Sequence, residues 1–534
     1  MAFHTKQEVQ VLLNQHSEYQ RFLYRRGFLI TNRSVSNLEQ YPFYGNWTKH
    51  LLYGDIWLYV HRDTQAFVYS TDDKTYFLVG HAYDPFTMLY QENEILEHLA
   101  NEGHNGEESF WEAESGLTGV FCIGYVDDEQ VVFSTDCAGM QLVYHGTING
   151  DLCVTSHSKL AADLWDLKQD RYVEKLVRSR FYHYWGTWLP GDLSPFPELR
   201  RMQPNFSGTY SFASRTIKTQ RYYPTHEIVE TTTDKEYKET IHELGEIMSR
   251  TMELIAKKWQ DRKVAIAVTG GRDSMTALAC ANGNYDKFHY FSYISNVPES
   301  VDAYAARDIC NALKLEHSIY EIPEDCDLYR DLPVFKVILE CNAGCIGENN
   351  PNDVKKRLYF SKNCEFDVEV KSWVNEMGRG WYYNKYNKKS FPHRPNAKYW
   401  RAMHKVYLDP WLIRKTDKVF QDYLDRYYSE DVFQKLSWLE LYFWEFAWSG
   451  GEGVFLTSEH RTAYEITVPF NNRRYVEKML TVPVQRRIVD DIPRDLITER
   501  NPEIAKTGVV IKDIEHTNMR ARIVRTYLEI FSRI

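Results

Sequence analysis

The sequence predicts an α/β chain of two domains, a β-sandwich in front and a parallel-sheet domain with a helical C-terminal part behind. Two patterns predict it. Short β-rich runs separated by Asp, Gly and Asn turns fill roughly the first 225 residues. Strand and helix patterns then alternate between about residues 235 and 320, the mark of a parallel sheet with crossover helices. The length of 534 residues suits two or three domains.

In the front part, Ile56–Val60, Ala66–Ser70, Gly119–Tyr125 and Gln130–Ser134 read as strands of hairpins. The pattern changes at Thr231-Thr232-Thr233-Asp234, so the boundary is placed at about residue 230, giving domains 1–230 and 231–534. From Lys235 to Trp259 the apolar positions Ile241, Leu244, Ile247, Met248, Met252 and Ile255 recur at helical spacing. A strand at Val264–Val268 runs into a glycine turn and a helix from Ser274 to Ala281. A strand at Phe288–Ile294, a helix at Val301–Leu313 and a strand at His317–Tyr320 follow. Beyond about residue 325 the chain reads as mainly helical, with Gly450-Gly451-Glu452-Gly453 as a mobile turn. The aromatic run Tyr442 to Trp448 beside it reads as core.

Composition narrows the function. Apolar residues make up 43% and charged residues 26%, an ordinary globular balance. The formal net charge of −10 argues against nucleic acid as a partner, which needs a basic face. No apolar run approaches a bilayer span and the start of the chain carries no signal-peptide pattern, so a soluble, cytoplasmic protein with no membrane partner is expected. The nine cysteines are scattered. The closest pair, Cys341 and Cys345, lacks a second pair at zinc-ligand spacing, and all nine read as reduced thiols.

The sharpest motif is Val268-Thr269-Gly270-Gly271-Arg272-Asp273-Ser274, at the end of an apolar strand and the start of a helix. Adjacent glycines permit positive φ and close approach of the backbone to an anion. Free N–H groups and the dipole at a helix start favour phosphate. Thr269 and Ser274 can add hydroxyl donors, Arg272 can pair with a phosphate oxygen, and Asp273 can hold Mg²⁺. A Walker loop is excluded, because Gly-Lys-Ser/Thr is missing.

This segment resembles the Ser-Gly-Gly-x-Asp-Ser loop of the ATP pyrophosphatases, the PP-loop fold, with Thr269 for the first Ser. The resemblance implies cleavage of ATP between the α and β phosphates, with Tyr293 and Ile294 against the adenine. Gly119-Val120-Phe121, then Asp136 to Tyr144, and Glu465 to Asn471 are similar to asparagine synthetases, whose front domain is an Ntn-hydrolase-like glutaminase. That family's working glutaminase carries an N-terminal Cys nucleophile. Here the chain begins Met1-Ala2-Phe3 and has no cysteine before Cys122, so glutamine hydrolysis is not expected. Related β-lactam synthetases and lasso-peptide cyclases use the substrate's own amine.

The resemblance implies an ATP-dependent, AMP-forming amide ligase requiring ATP and Mg²⁺. Its substrates would be a small-molecule, peptide or sugar-acid carboxylate and an amine or ammonia, and a homodimer is left open. The segment Ser372 to Tyr383 sits where the family carries an acidic loop, which makes Glu376 the candidate for Mg²⁺ or general base and Tyr382, or Tyr383, the proton relay. Lys506, in Lys-Thr-Gly-Val, matches the family's catalytic lysine, with Lys512 as fallback. Arg357 and Arg379 are candidate carboxylate or phosphate clamps, an ordinary salt bridge being the favoured reading for Arg357. The alternatives are a PP-loop enzyme that modifies RNA and a non-catalytic scaffold that keeps the fold.

Overall fold

A computed structural model of the chain describes residues 3–180, 182, 186–347, 350–458, 460–509 and 519–533. Among these residues, seventeen strands form three sheets. The front part supplies β1 (Phe28–Thr31), β2 (Trp47–Tyr53), β3 (Ile56–His61), β4 (Ala66–Ser70), β5 (Thr75–Tyr83), β6 (Thr118–Val126), β7 (Gln130–Thr135), β8 (Tyr144–Ile148), β9 (Asp151–Thr155), β10 (Arg200–Arg201), β11 (Phe206–Ser211) and β12 (Thr216–Arg221). They pair antiparallel in two six-stranded sheets, ordered β10-β8-β9-β1-β3-β2 and β12-β11-β7-β6-β5-β4.

Alternation along the strands sets the layers. Phe28 and Ile30 of β1 pack in one core with Phe77 and Val79 of β5, so the two sheets face each other. Leu29 points the other way, into a core shared with the helices Lys6–Gln15 and Ser158–Trp165. Tyr76 and Leu78 face the helices Glu92–Gly103 and Glu107–Glu114. Both outer faces are therefore covered, and the predicted sandwich is a four-layer one with helices outside.

The second part opens with the helix Asp234–Lys258. Thr233 and Glu236 cap each other's backbone there, which explains why the helix starts after the threonine run and contributes about 1 kcal/mol. Then come β13 (Val264–Ala267), β14 (His289–Ile294), β15 (His317–Glu321), β16 (Val368–Val370) and β17 (Glu465–Thr467). All pair parallel in the order β15-β14-β13-β16-β17. The chain moves one way from β13 to β15, then returns to lay β16 on the other side of β13. β16 and β17 fall in the stretch read as helical.

Three boundaries differ from expectation. The helix after the glycine turn spans Arg272–Cys280, so Arg272 and Asp273 belong to its first turn. The next helix spans Val297–Ala312, started by the Asn296 cap and Pro298. Gly450 to Gly453 form no turn; they lie in the helix Ser449–Ser458. The reason is contact, since a Cβ on Gly453 would stand 2.3 Å from the Gly139 carbonyl of the front part. The preceding residues Tyr442–Trp448 wind as a wider π-helix, with their aromatic rings buried as expected.

The halves are pinned together by buried polar groups. Arg473, fully buried, bonds both carboxylate oxygens of Glu114 at 2.6 Å. Asn471 bonds the Gly119 carbonyl at 2.6 Å and accepts from the Ala138 amide at 2.9 Å. Breaking a buried ion pair of this kind typically costs about 3–5 kcal/mol. No helix among the described residues is long and apolar enough to cross a membrane.

Candidate functional site

In an open parallel sheet, a crevice forms outside the C-terminal strand ends where the strand order reverses. Here that point lies between β13 and β16. The turn after β13 carries Thr269 to Ser274, and the turn after β16 carries Lys371 to Arg379.

The first turn is tied to itself. Ser274 Oγ accepts from the Thr269 amide at 3.1 Å and lies 2.9 Å from Thr269 Oγ1. The Gly271 amide donates to Thr269 Oγ1 at 3.1 Å. Gly271 takes φ −79°, so it supplies room rather than the positive φ expected of it. No side chain caps the following helix, which leaves its first N–H groups toward the crevice end of β13. Beside the turn, a cavity of about 90 Å³ is lined by Val268, Thr269, Ser292, Tyr293, Glu299 and Asp302, among others. That is below the ~300–1,000 Å³ of whole-ligand sites, and sized for part of a ligand. Tyr293 stands in its wall; Ile294, expected beside it, does not.

The second turn faces the first. Asn375 Nδ2 donates to Asp273 Oδ1 at 2.7 Å, and Arg379 Nη1 to Asp273 Oδ2 at 3.0 Å. Arg379 also grips Asp490 through Nε and Nη2 at 2.8 and 3.0 Å. Arg272 approaches Asp490 at 3.5 Å. Val374 sits at φ +80°, a conformation β-branched residues rarely adopt, and such strain gathers at functional sites.

Glu376 joins this cluster. Its Oε2 is buried without a hydrogen-bond partner. Burial, and then the nearby Asp273 carboxylate, push its carboxyl well above the usual range. Burial likewise lifts Asp273, against the pull of Arg379 and Asn375. The two carboxylates suit a hard cation. Mg²⁺ takes one or two protein carboxylates and completes its shell with phosphate and water. Among the described residues no group of three or more His, Cys, Asp or Glu is arranged to hold an ion.

Two groups here escaped sequence reasoning. Burial raises the Glu452 carboxyl to about 7, with Lys371 opposing, and Glu452 in turn acts on Glu376. Lys371 lies over the Trp373 ring at 4.6 Å and 3.3 Å from Glu369. A lone acid inside a glycine-rich, otherwise apolar stretch was the available signal for Glu452.

Other candidates are placed elsewhere. Tyr382 is buried among Tyr386, Tyr442 and Phe443. Arg357 is buried with His460 at 3.1 Å. Lys506 is exposed, its side chain 69% accessible, and pairs with Glu503 at 2.6 Å. Lys512 and Ala2 lie outside the described residues.

No family model matches the chain. No curated protein matches it either. Among solved structures it is similar to the allosteric regulatory enzyme of purine biosynthesis, at 10% identity over 59% of this chain and 63% of that one, with a TM-score of 0.25. It is also similar to glutamine phosphoribosylpyrophosphate amidotransferase from B. subtilis complexed with ADP and GMP, at 8% identity over 77% of each chain and a TM-score of 0.22. The chain thus spans under two thirds of the first of these.

Proposed function

We propose that this chain is an ATP-dependent ligase that activates a carboxylate as an acyl-adenylate, releasing pyrophosphate, and passes the acyl group to an amine or ammonia with release of AMP. The observation that carries the reading is the meeting of the Thr269–Ser274 turn, through Asp273, with the turn of Asn375 and Glu376, whose Oε2 is unpartnered, at the sheet's reversal point.

In this reading the uncapped helix start and the Thr269 and Ser274 hydroxyls bind phosphate. Asp273 and Glu376 would hold Mg²⁺, which supplies charge neutralisation at the phosphates when bound. Lys371, at the end of β16, faces the negative charge that builds during acyl transfer. Glu452, raised to about 7, can take a proton from the attacking amine near neutral pH. Glutamine is not the nitrogen source. The front-part thiols Cys122, Cys137 and Cys153 are fully buried, and burial holds each far above the ordinary thiol range, so none offers a thiolate.

The test is ATP–pyrophosphate exchange with a panel of carboxylic acids, followed by product analysis with added amines. Acid-dependent exchange and AMP are expected. ADP and phosphate as the only nucleotide products would sink the assignment. Exchange that requires RNA would transfer it to RNA modification, and a failure to bind ATP would leave a scaffold.

A further inference from the structure

We propose that Arg379 makes divalent-metal binding conditional on nucleotide: it occupies the metal-facing carboxylate of Asp273 until phosphates draw it away. This rests on the ligase reading of the site. Both oxygens of Asp273 are in use, Oδ1 by Asn375 at 2.7 Å and Oδ2 by Arg379 at 3.0 Å. A cation seeking Asp273 therefore meets a guanidinium already seated on it, and the like charges repel at contact distance.

The same guanidinium has a second anchor. Its Nε and Nη2 form the two-pronged contact with Asp490, at the left-handed residue (φ +59°) that begins the helix Asp491–Arg500. The guanidinium is rigid and planar, so Arg379 releases Asp273 only by moving as a whole about its side-chain bonds, with Asp490 shifting with it or letting go. A polyphosphate supplies what the exchange needs. Its oxygens match the planar fork of an arginine, and its several negative charges outweigh one carboxylate. Arg272, close to Asp490 as well, faces the same anion. Once Arg379 turns, Asp273 and the unpartnered Oε2 of Glu376 are left as a pair of acidic oxygens beside the phosphates. Nucleotide then comes first and the metal site is completed by it. Arg379 acts here through Asp273 and is a positioning residue.

The experiment is Mn²⁺ binding to the full chain, read by electron paramagnetic resonance as free Mn²⁺ lost beyond a protein-free control at the same α,β-methylene-ATP concentration, with and without that analogue. Calorimetry follows the analogue itself. The wild type is expected to bind Mn²⁺ at least tenfold more weakly without the analogue. Arg379→Gln is expected to bind Mn²⁺ without the analogue at least tenfold more tightly than the wild type does. Arg379→Lys, which keeps the charge and loses the fork, covers the case in which the glutamine variant does not fold, and should reduce the dependence on nucleotide. Equal Mn²⁺ affinity with and without analogue in the wild type overturns the proposal and leaves the ligase reading standing. Unchanged nucleotide dependence in the folded variants overturns it too. If the analogue does not bind at all, both readings fall together.

Discussion

Asn375 Nδ2 lies 2.7 Å from Asp273 Oδ1, and this contact joins the turn after β16 to the turn after β13. Asn375 in turn accepts from the Tyr475 hydroxyl at 3.2 Å, so one buried amide aligns the two turns against the helix Arg473–Leu480. Asn375→Ala leaves two buried groups without this partner. A loss of about 1–3 kcal/mol is expected, read as a lower urea midpoint with unchanged slope. An unchanged midpoint would mean that the turns hold together without the amide.

Val374 should reverse the usual ranking of small residues. In ordinary backbone, Gly is less stable than Ala by about 0.5–1 kcal/mol. At φ +80° the methyl group of Ala is strained and Gly is not. Both substitutions lose the same buried valine, so Val374→Gly is expected to unfold at higher denaturant than Val374→Ala. The opposite order would show that the turn relaxes once the branched side chain is gone.

Glu452 gives a pH signature. Its carboxyl rises from the ordinary 4.5 to about 7 in the fold, so the folded state binds the proton more tightly than the unfolded chain. Relative stability is therefore full below about pH 4.5, falls as the pH rises toward about 7, and is flat above. Glu452→Gln removes that slope. Its stability advantage over the wild type should grow across this window to at most about 3 kcal/mol, measured by unfolding at a series of pH values. If Glu452 accepts the amine's proton, amide formation in the wild type gains an ascending limb near pH 7 that the variant lacks, while pyrophosphate exchange persists.

Lys371 and Lys506 compete for the role of the cation. Lys506 is exposed and, among the described residues, held by Glu503, a surface pair worth about 0–1 kcal/mol. Lys371 follows directly on β16, at the crevice. Lys371→Ala should lower turnover by 10²–10³, the usual effect of removing one preorganised donor. Lys506→Ala should keep near-full turnover and stability. The reverse result returns the role to Lys506, the residue that the sequence motif favours.

The strand, glycine turn and helix around Thr269 were legible because each is a local pattern, an apolar run followed by a glycine pair and a helix start. Even there, the helix begins two residues earlier than its apolar spacing suggests, because Arg272 and Asp273 enter it with polar side chains. Glu376 was visible as an acid in a family-like segment, but its nearness to Asp273 was not. The strand that brings it to Asp273, β16, has three residues, too few for periodicity to show.

The sequence by itself determined the antiparallel hairpin strands of the front stretch, the long helix after the threonine run, and the strand, glycine turn and helix around Thr269. These follow from neighbours within a few positions, where propensity and spacing act directly. Only the tertiary structure decided that Arg379 sits on Asp273, that Glu452 lies in a buried helix near Glu376, and that Lys506 stands outside the cluster. Those facts depend on pairing across about a hundred residues of chain, as in the Asp273–Arg379 contact with its separation of 106. They depend also on the glycine helix Ser449–Ser458 pressing against Gly139 of the front part. Burial, which lifts the carboxyl of Glu452, is a property of what surrounds a residue in space, and no local pattern carries it.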